Sequence, residues 1–110
     1  MGADGEPAWA IDTEHEADRT VLRITGDLDL ETAPRLASHA EPILDSGTGG
    51  LLIDLRRVTF IDSSGLSALI RLTQRMGAAN RPFQIIKPPP VVGKVFEITG
   101  LNQVLPLTSG

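Results

Sequence analysis

The stretch Leu51-Leu52-Ile53-Asp54-Leu55-Arg56-Arg57-Val58-Thr59-Phe60-Ile61-Asp62-Ser63-Ser64-Gly65-Leu66 decides the fold. Its first five residues are almost continuously apolar, the pattern of a strand at the centre of a sheet or covered on both faces. Residues 56–61 lead out of that strand. Asp62-Ser63-Ser64-Gly65 then offers the residue types that open a helix. The spacing predicts a helix over residues 64–77. At 100° per residue, Leu66, Leu69, Ile70, Thr73, Met76 and Gly77 fall on one half. Ser64, Ser67, Ala68, Arg71, Gln74 and Arg75 fall on the other, with Leu72 between. This phasing assigns Leu66 to the core, Asp62 and Ser63 to the turn, and Gly65 to close approach by another chain. Ser64 heads an exposed stripe, in line with Ser67 and Arg71, that a partner can touch.

The flanking segments supply the rest of an α/β order. Residues 9–14 alternate, with Trp9 and Ile11 on one side, and suggest a first strand; residues 14–19 form the turn. Residues 21–25 form a second strand with Leu22 and Ile24 inward and Arg23 and Thr25 outward. Gly26 closes it and begins Gly26-Asp27-Leu28-Asp29. A first helix carries Ala33, Leu36, Ala37, Ala40, Ile43 and Leu44 as its apolar stripe. Asp29 or Thr32 caps its start, and Pro34 fits only the first turn. Pro42 falls on the polar side, so the helix bends or frays there. Gly47-Thr48-Gly49-Gly50 is a loop. Pro82 precedes a short strand at residues 83–86, and Pro88-Pro89-Pro90 forbids regular pairing before a third helix over residues 91–99. Val92, Val95 and Phe96 are its contacts, Gly100 its stop. Val104-Leu105-Pro106-Leu107 is a last strand, which Pro106 places at a sheet edge.

Strands alternating with helices after a hairpin call for a mixed β-sheet of about five strands, the later ones parallel and joined by right-handed crossovers. Polar outward positions on the first two strands leave part of one face wet, so the helices pack mainly on the other.

Composition narrows the function. The 110 residues fit one domain, read as residues 8–110 after a disordered lead-in at 1–7. With no cysteine, disulfides, thiolate metal sites and cysteine nucleophiles are excluded. A formal net charge of -4 argues against nucleic acid as the main partner. No apolar run approaches the roughly 20 residues of a membrane span, and the polar, acidic start is no signal peptide, so a cytoplasmic setting is expected.

The first turn of a helix presents free backbone N–H groups and the positive end of the dipole. A phosphate on Ser64 would add about -1.5 to -2 charges there without unfolding the helix. The plain alternative is that Asp62, Ser63 and Ser64 only cap the helix. Hydrolytic chemistry fits poorly: Ile61-Asp62-Ser63-Ser64-Gly65 lacks the leading glycine of a nucleophile elbow, and neither His15 nor His39 has a context that points to the serine. Two isolated histidines give no metal-ligand spacing. The Gly47–Gly50 loop lacks the Gly-Lys-Ser/Thr of a phosphate loop. Arg56, Arg57, Arg71, Arg75 and Arg81 are dispersed on an acidic chain, as in a solvated or protein-facing surface. No catalytic, metal or cofactor residue is therefore assigned.

Leu52-Ile53-Asp54-Leu55 with Phe60-Ile61-Asp62-Ser63-Ser64-Gly65-Leu66 resembles the signature of the STAS superfamily, and more narrowly its bacterial anti-sigma factor antagonists. Gly26-Asp27-Leu28-Asp29, Thr32-Ala33 and Thr99-Gly100-Leu101 extend the likeness over nearly all of residues 9–107. The resemblance implies a STAS fold in which Ser64 is the phosphoacceptor, Asp62 and Ser63 help form the site, and Asp27 and Asp29 lie beside it and contact the partner. It implies an anti-sigma factor of the serine-kinase type as partner, with a metal-dependent serine phosphatase reversing the modification. A free domain that is a monomer or weak homodimer is expected. Pro42 and Pro88-Pro89-Pro90 are not features of the family pattern. The family also has members that are not phosphorylated, and scaffold or lipid-transport subunits are the alternative.

Overall fold

The computed structural model describes residues 9–110; the lead-in expected at residues 1–7 lies outside the described residues. Five strands form one sheet in the order β1-β2-β3-β4-β5. They are β1 (Trp9–His15), β2 (Arg19–Leu28), β3 (Gly50–Ile61), β4 (Phe83–Ile86) and β5 (Leu107–Thr108), with helices α1 (Ala33–Ser46), α2 (Ser63–Ala78) and α3 (Pro90–Ile98). The β1–β2 pair is antiparallel, and every later pair is parallel. The mixed sheet expected from the element order is therefore present.

The side-chain alternation of the strands explains why the helices share one face. Leu22, Ile24, Ile53, Leu55 and Ile85 belong to one buried cluster, with Leu36 of α1, Leu69 and Met76 of α2 and Phe96 of α3. The alternate residues Val21, Leu52 and Ile86 form a separate small cluster on the open face. Fully burying one such leucine or isoleucine stabilises by about 1.5–3 kcal/mol, so the helix-covered face dominates the core. The wet face expected from Arg23 and Thr25 is this open one.

Strand lengths depart from expectation. Gly26 does not close β2, which continues to Leu28. Its φ of +98° coincides with a register shift between Gly26 and Asp27. Glycine adopts this conformation without a Cβ penalty, so the strand bends there and goes on. β3 runs 12 residues, not five, because residues 56–61 stay paired with β2. A second irregularity pairs Arg23 with Asp54 but Thr25 with Arg57. That extra residue on β3 leaves Arg56 and Arg57 both exposed. At the other edge β5 holds only Leu107 and Thr108, since residues 101–103 form a 3-10 turn before Pro106. The Pro106 carbonyl still accepts from the Ile85 amide at 3.0 Å.

Helix α1 accommodates both prolines. Pro34 lies in its first turn, and Pro42 sits on the exposed side of a helix that continues to Ser46. Gly47, at φ +75°, ends it in the left-handed conformation, its amide donating to the Leu44 carbonyl at 3.2 Å. Arg81 staples this end: its guanidinium donates to the carbonyls of Ile43 (2.8 Å), Thr48 (2.6 Å) and Gly49 (2.9 Å). α3 begins at Pro90, one residue earlier than expected, with proline at its first position.

Candidate functional site

Parallel pairing carries the C-terminal ends of β2 and β3 to the same end of the sheet, the serine edge, with Leu28 opposite Ile61. Asp27-Leu28-Asp29 and Asp62-Ser63-Ser64 therefore emerge side by side. The Leu28 carbonyl accepts from the Asp62 amide at 3.2 Å and ties the two segments together.

Asp62 is extended (φ -108°, ψ -172°) and caps α2. Its Oδ1 accepts from the amides of Ser64 (2.8 Å) and Gly65 (3.1 Å). Such a cap is worth about 1 kcal/mol. α2 thus starts at Ser63, one residue before the expected boundary. Two amides expected to be open to a phosphate are already held by this carboxylate.

Gly65 has a different role from the one its sequence position suggested. It is buried against its own chain, not open to another. A Cβ there would overlap the Leu28 carbonyl oxygen, and would lie 2.9 Å from Leu28 Cγ and 3.0 Å from Ile61 Cγ2. Only glycine lets the first turn of α2 settle onto the end of β2.

The two serines stand apart from this scaffolding. Neither the Ser63 nor the Ser64 hydroxyl makes a hydrogen bond among the described residues. Ser63 is exposed and Ser64 half-buried, so Ser64 does not head a fully open stripe. Instead it sits at one end of a groove of about 510 Å³ between α1 and α2, with Leu30, Ala37, Leu44, Leu72 and Arg71 also lining it. Ala68 and Leu72 are 8% and 5% exposed, although phasing put Ala68 outward and Leu72 on the border. The reason is that α1 packs along this flank of α2, a contact that the periodicity of a single helix does not encode. For the same reason Ala37 and Leu44, assigned to the α1 core stripe, line the groove. Ser67 and Arg71 remain exposed on the groove wall, as expected.

The acidic residues are held tightly. Asp27 Oδ1 accepts from the Thr59 hydroxyl at 2.7 Å, while the Asp27 carbonyl accepts from the Thr32 hydroxyl at 2.7 Å. Asp29 Oδ1 accepts from the amides of Glu31 (3.0 Å) and Thr32 (3.1 Å). These bonds, that from Thr32 first, hold the Asp29 carboxyl below the usual carboxylate range. Thr32 occupies the N-cap position of α1 but makes no side-chain cap, and Asp29 captures the turn before the helix. Asp27 and Asp29 are thus brought to the serine edge. Leu30 (77% exposed) and Phe60 (51%) add apolar surface beside it that the sequence reading missed. Their signal was an apolar side chain outside any periodic stripe, Leu30 between Asp29 and Glu31.

Elsewhere, three of the five dispersed arginines have internal partners. Arg56 pairs with Asp54, Arg75 with Glu41, and Arg81 with carbonyls. No helix among the described residues is long and apolar enough to cross a membrane.

Residues 11–107 match the family model described as Mlab, STAS domain. The chain belongs to the STAS domain family. The anti-sigma-B factor antagonist of Staphylococcus aureus (strain NCTC 8325 / PS 47) is 27% identical over 89 residues, covering 81% of this chain and 82% of that protein. The crystal structure of an anti-sigma factor antagonist from Mycobacterium paratuberculosis superposes with a TM-score of 0.82 at 25% identity, over 93% of this chain and 86% of that one. The Bacillus cell fate determinant SpoIIAA in its phosphorylated form shares the fold, with a TM-score of 0.70 at 22% identity over 90% of this STAS chain and 91% of its own. The antagonists among these are regulatory binding proteins, not enzymes.

Proposed function

We propose that this STAS domain is an anti-sigma factor antagonist switched by phosphorylation of Ser64. Unmodified, it binds an anti-sigma factor of the serine-kinase type in the cytoplasm and so frees a sigma factor. The partner contacts Asp27, Asp29, Ser63, Ser64, Ser67 and Arg71 at the serine edge and the adjoining groove. Phosphorylation releases the partner, and a serine phosphatase resets the switch.

The observation that carries this reading is the division of labour within one turn. Asp62 and Gly65 are used up by the fold, whereas the serine hydroxyls are left spare. A phosphate of about -1.5 to -2 charges would fall among the carboxylates of Asp27, Asp29 and Asp62. The helix dipole offsets only about 0.3–1 kcal/mol of the resulting repulsion. A surface that is mildly acidic before modification becomes strongly so, which is a physical basis for release of a partner that fits the unmodified edge.

Incubation with the cognate anti-sigma kinase and ATP, followed by intact-mass measurement, tests the reading. One phosphate is expected, absent from Ser64→Ala, together with weaker kinase binding by Ser64→Glu. Undiminished binding by Ser64→Glu would refute the switch. Tight binding with no phosphate gained would favour a non-phosphorylated scaffold or lipid-transport subunit.

A further inference from the structure

We infer that a phosphate on Ser64 is clasped by Arg71 along the wall of the α1–α2 groove, so that modification also alters the groove. This rests on the reading of Ser64 as phosphoacceptor.

Ser64, Ser67 and Arg71 follow one another at i, i+3 and i+7 on α2 and line the same groove. Two turns of helix separate the Cα atoms of Ser64 and Arg71 by about 10.5 Å. Side chains on a helix lean toward its N-terminus, so the long Arg71 side chain leans toward Ser64. Arg71 is exposed and makes no ion pair among the described residues. Arg75, one turn further on, is engaged by Glu41 across the groove at 3.2 Å. Arg71 is thus the nearer and the uncommitted cation.

The other charged groups around the phosphate are acidic. Asp62 lies at the N-cap, Asp27 near the end of β2 with its carboxylate bonded to the Thr59 hydroxyl, Asp29 and Glu31 in the connection before α1, and Glu41 on α1 is paired with Arg75. With the Ser64 and Gly65 amides occupied by Asp62, the backbone offers the phosphate little. The guanidinium fork matches phosphate oxygens and supplies charge-assisted hydrogen bonds. Drawn toward Ser64, Arg71 crosses the groove wall beside Leu72 and narrows the space open to a partner side chain.

The test installs phosphoserine at position 64 during synthesis of the full chain and follows its ³¹P resonance against pH. A serine phosphate has a second pKa of about 6. A nearby cation favours the dianion, so the wild type should titrate about 0.5–1 unit below Arg71→Gln. Arg75→Gln should match the wild type. The Arg71 Nε–H resonance should shift on modification, and that of Arg75 should stay. Equal titration of wild type and Arg71→Gln, or an unmoved Arg71 resonance, would overturn the inference. Because the phosphate is built in, this outcome is independent of any kinase; failure of the switch itself would appear as no kinase-dependent gain in mass.

Discussion

The serine edge and the open face of the sheet both fix carboxylates, and they use them in opposite ways. On the open face Asp54, only 6% exposed, accepts from Arg56 Nε at 3.1 Å and Nη2 at 2.8 Å, with Arg23 at 3.7 Å. Arg23 in turn bonds Glu14 at 2.7 Å. Charge there is cancelled by charge. At the serine edge Asp62 and Asp29 accept from backbone amides, and no ion pair forms at Asp27, Asp29 or Asp62 among the described residues. Their polar capacity shapes the chain and leaves a net acidic rim with two spare hydroxyls. A surface satisfied by its own ion pairs has little to offer a partner; one organised by its backbone can still respond to an added charge.

The sharpest break in this comparison is Gly65→Ala. The new methyl meets backbone at Leu28, which cannot move without disturbing the β2–β3 pairing. Overpacking of this kind costs about 3 kcal/mol, and urea unfolding should show a loss of that size. The same substitution at Gly77, where an added methyl would meet nothing within 4 Å, should raise stability slightly through helix propensity.

Asp54→Asn is expected to cost about 2 kcal/mol, since charge-assisted hydrogen bonds to Arg56 are lost from a buried position. The sign with pH follows from the depressed carboxyl, held low chiefly by the Arg56 hydrogen bond against the opposing cost of burial. A group whose folded pKa lies below its unfolded value of about 3.9 contributes its full stability above that value. That contribution fades as pH falls through the folded value. Stability measured from neutral to acid pH should therefore drop less steeply in Asp54→Asn than in the wild type. Binding of the proposed kinase partner should be unchanged, because the substitution lies on the open face.

Asp62→Ala removes the α2 cap and should cost about 1 kcal/mol, read as a lower denaturant midpoint with an unchanged slope. It also frees the amides of Ser64 and Gly65, so a phosphate at Ser64 should titrate at lower pH than in the wild type. A titration unchanged by the substitution would remove Asp62 from the electrostatics of the site and leave it a cap alone.

The contrast between the two regions also marks what sequence could reveal. Element order follows from local patterns: alternation at Leu22 and Ile24, apolar continuity at Leu51 to Leu55, and helical spacing from Leu66 to Met76. The serine edge was legible in part: Asp62, Ser63, Ser64 and Gly65 are contiguous, whereas Asp27 and Asp29 were tied to them only by the family resemblance, because parallel pairing brings them there from a distant segment. Gly26 misled because a glycine with positive φ can equally end a strand or bulge it, and pairing with β3 decides which. Gly65 misled because its neighbour, the Leu28 carbonyl, lies 37 residues earlier in the chain and meets it only through parallel pairing. The groove was hidden for a related reason. Helical phasing separates core from solvent for one axis, whereas Ala68 and Leu72 are buried by a second helix.

The smallest expected effect is the most telling for function. Ser63→Ala and Ser64→Ala should each change stability by less than about 0.5 kcal/mol, because neither hydroxyl bonds to the described fold and the cap is supplied by Asp62. Alanine even has the better helix propensity at these first-turn positions, which opposes any slight loss. A serine that served as a structural cap would instead cost about 1 kcal/mol on removal. Parallel urea titrations of the wild type, Ser63→Ala, Ser64→Ala and Asp62→Ala resolve a difference of that size. If Ser64→Ala fell with Asp62→Ala, the hydroxyl would belong to the scaffold, and the distinction between shaping and responding groups within this turn would collapse. If it stays with the wild type, any change that Ser64→Ala causes in binding of the proposed kinase partner reports on recognition, free of a folding defect.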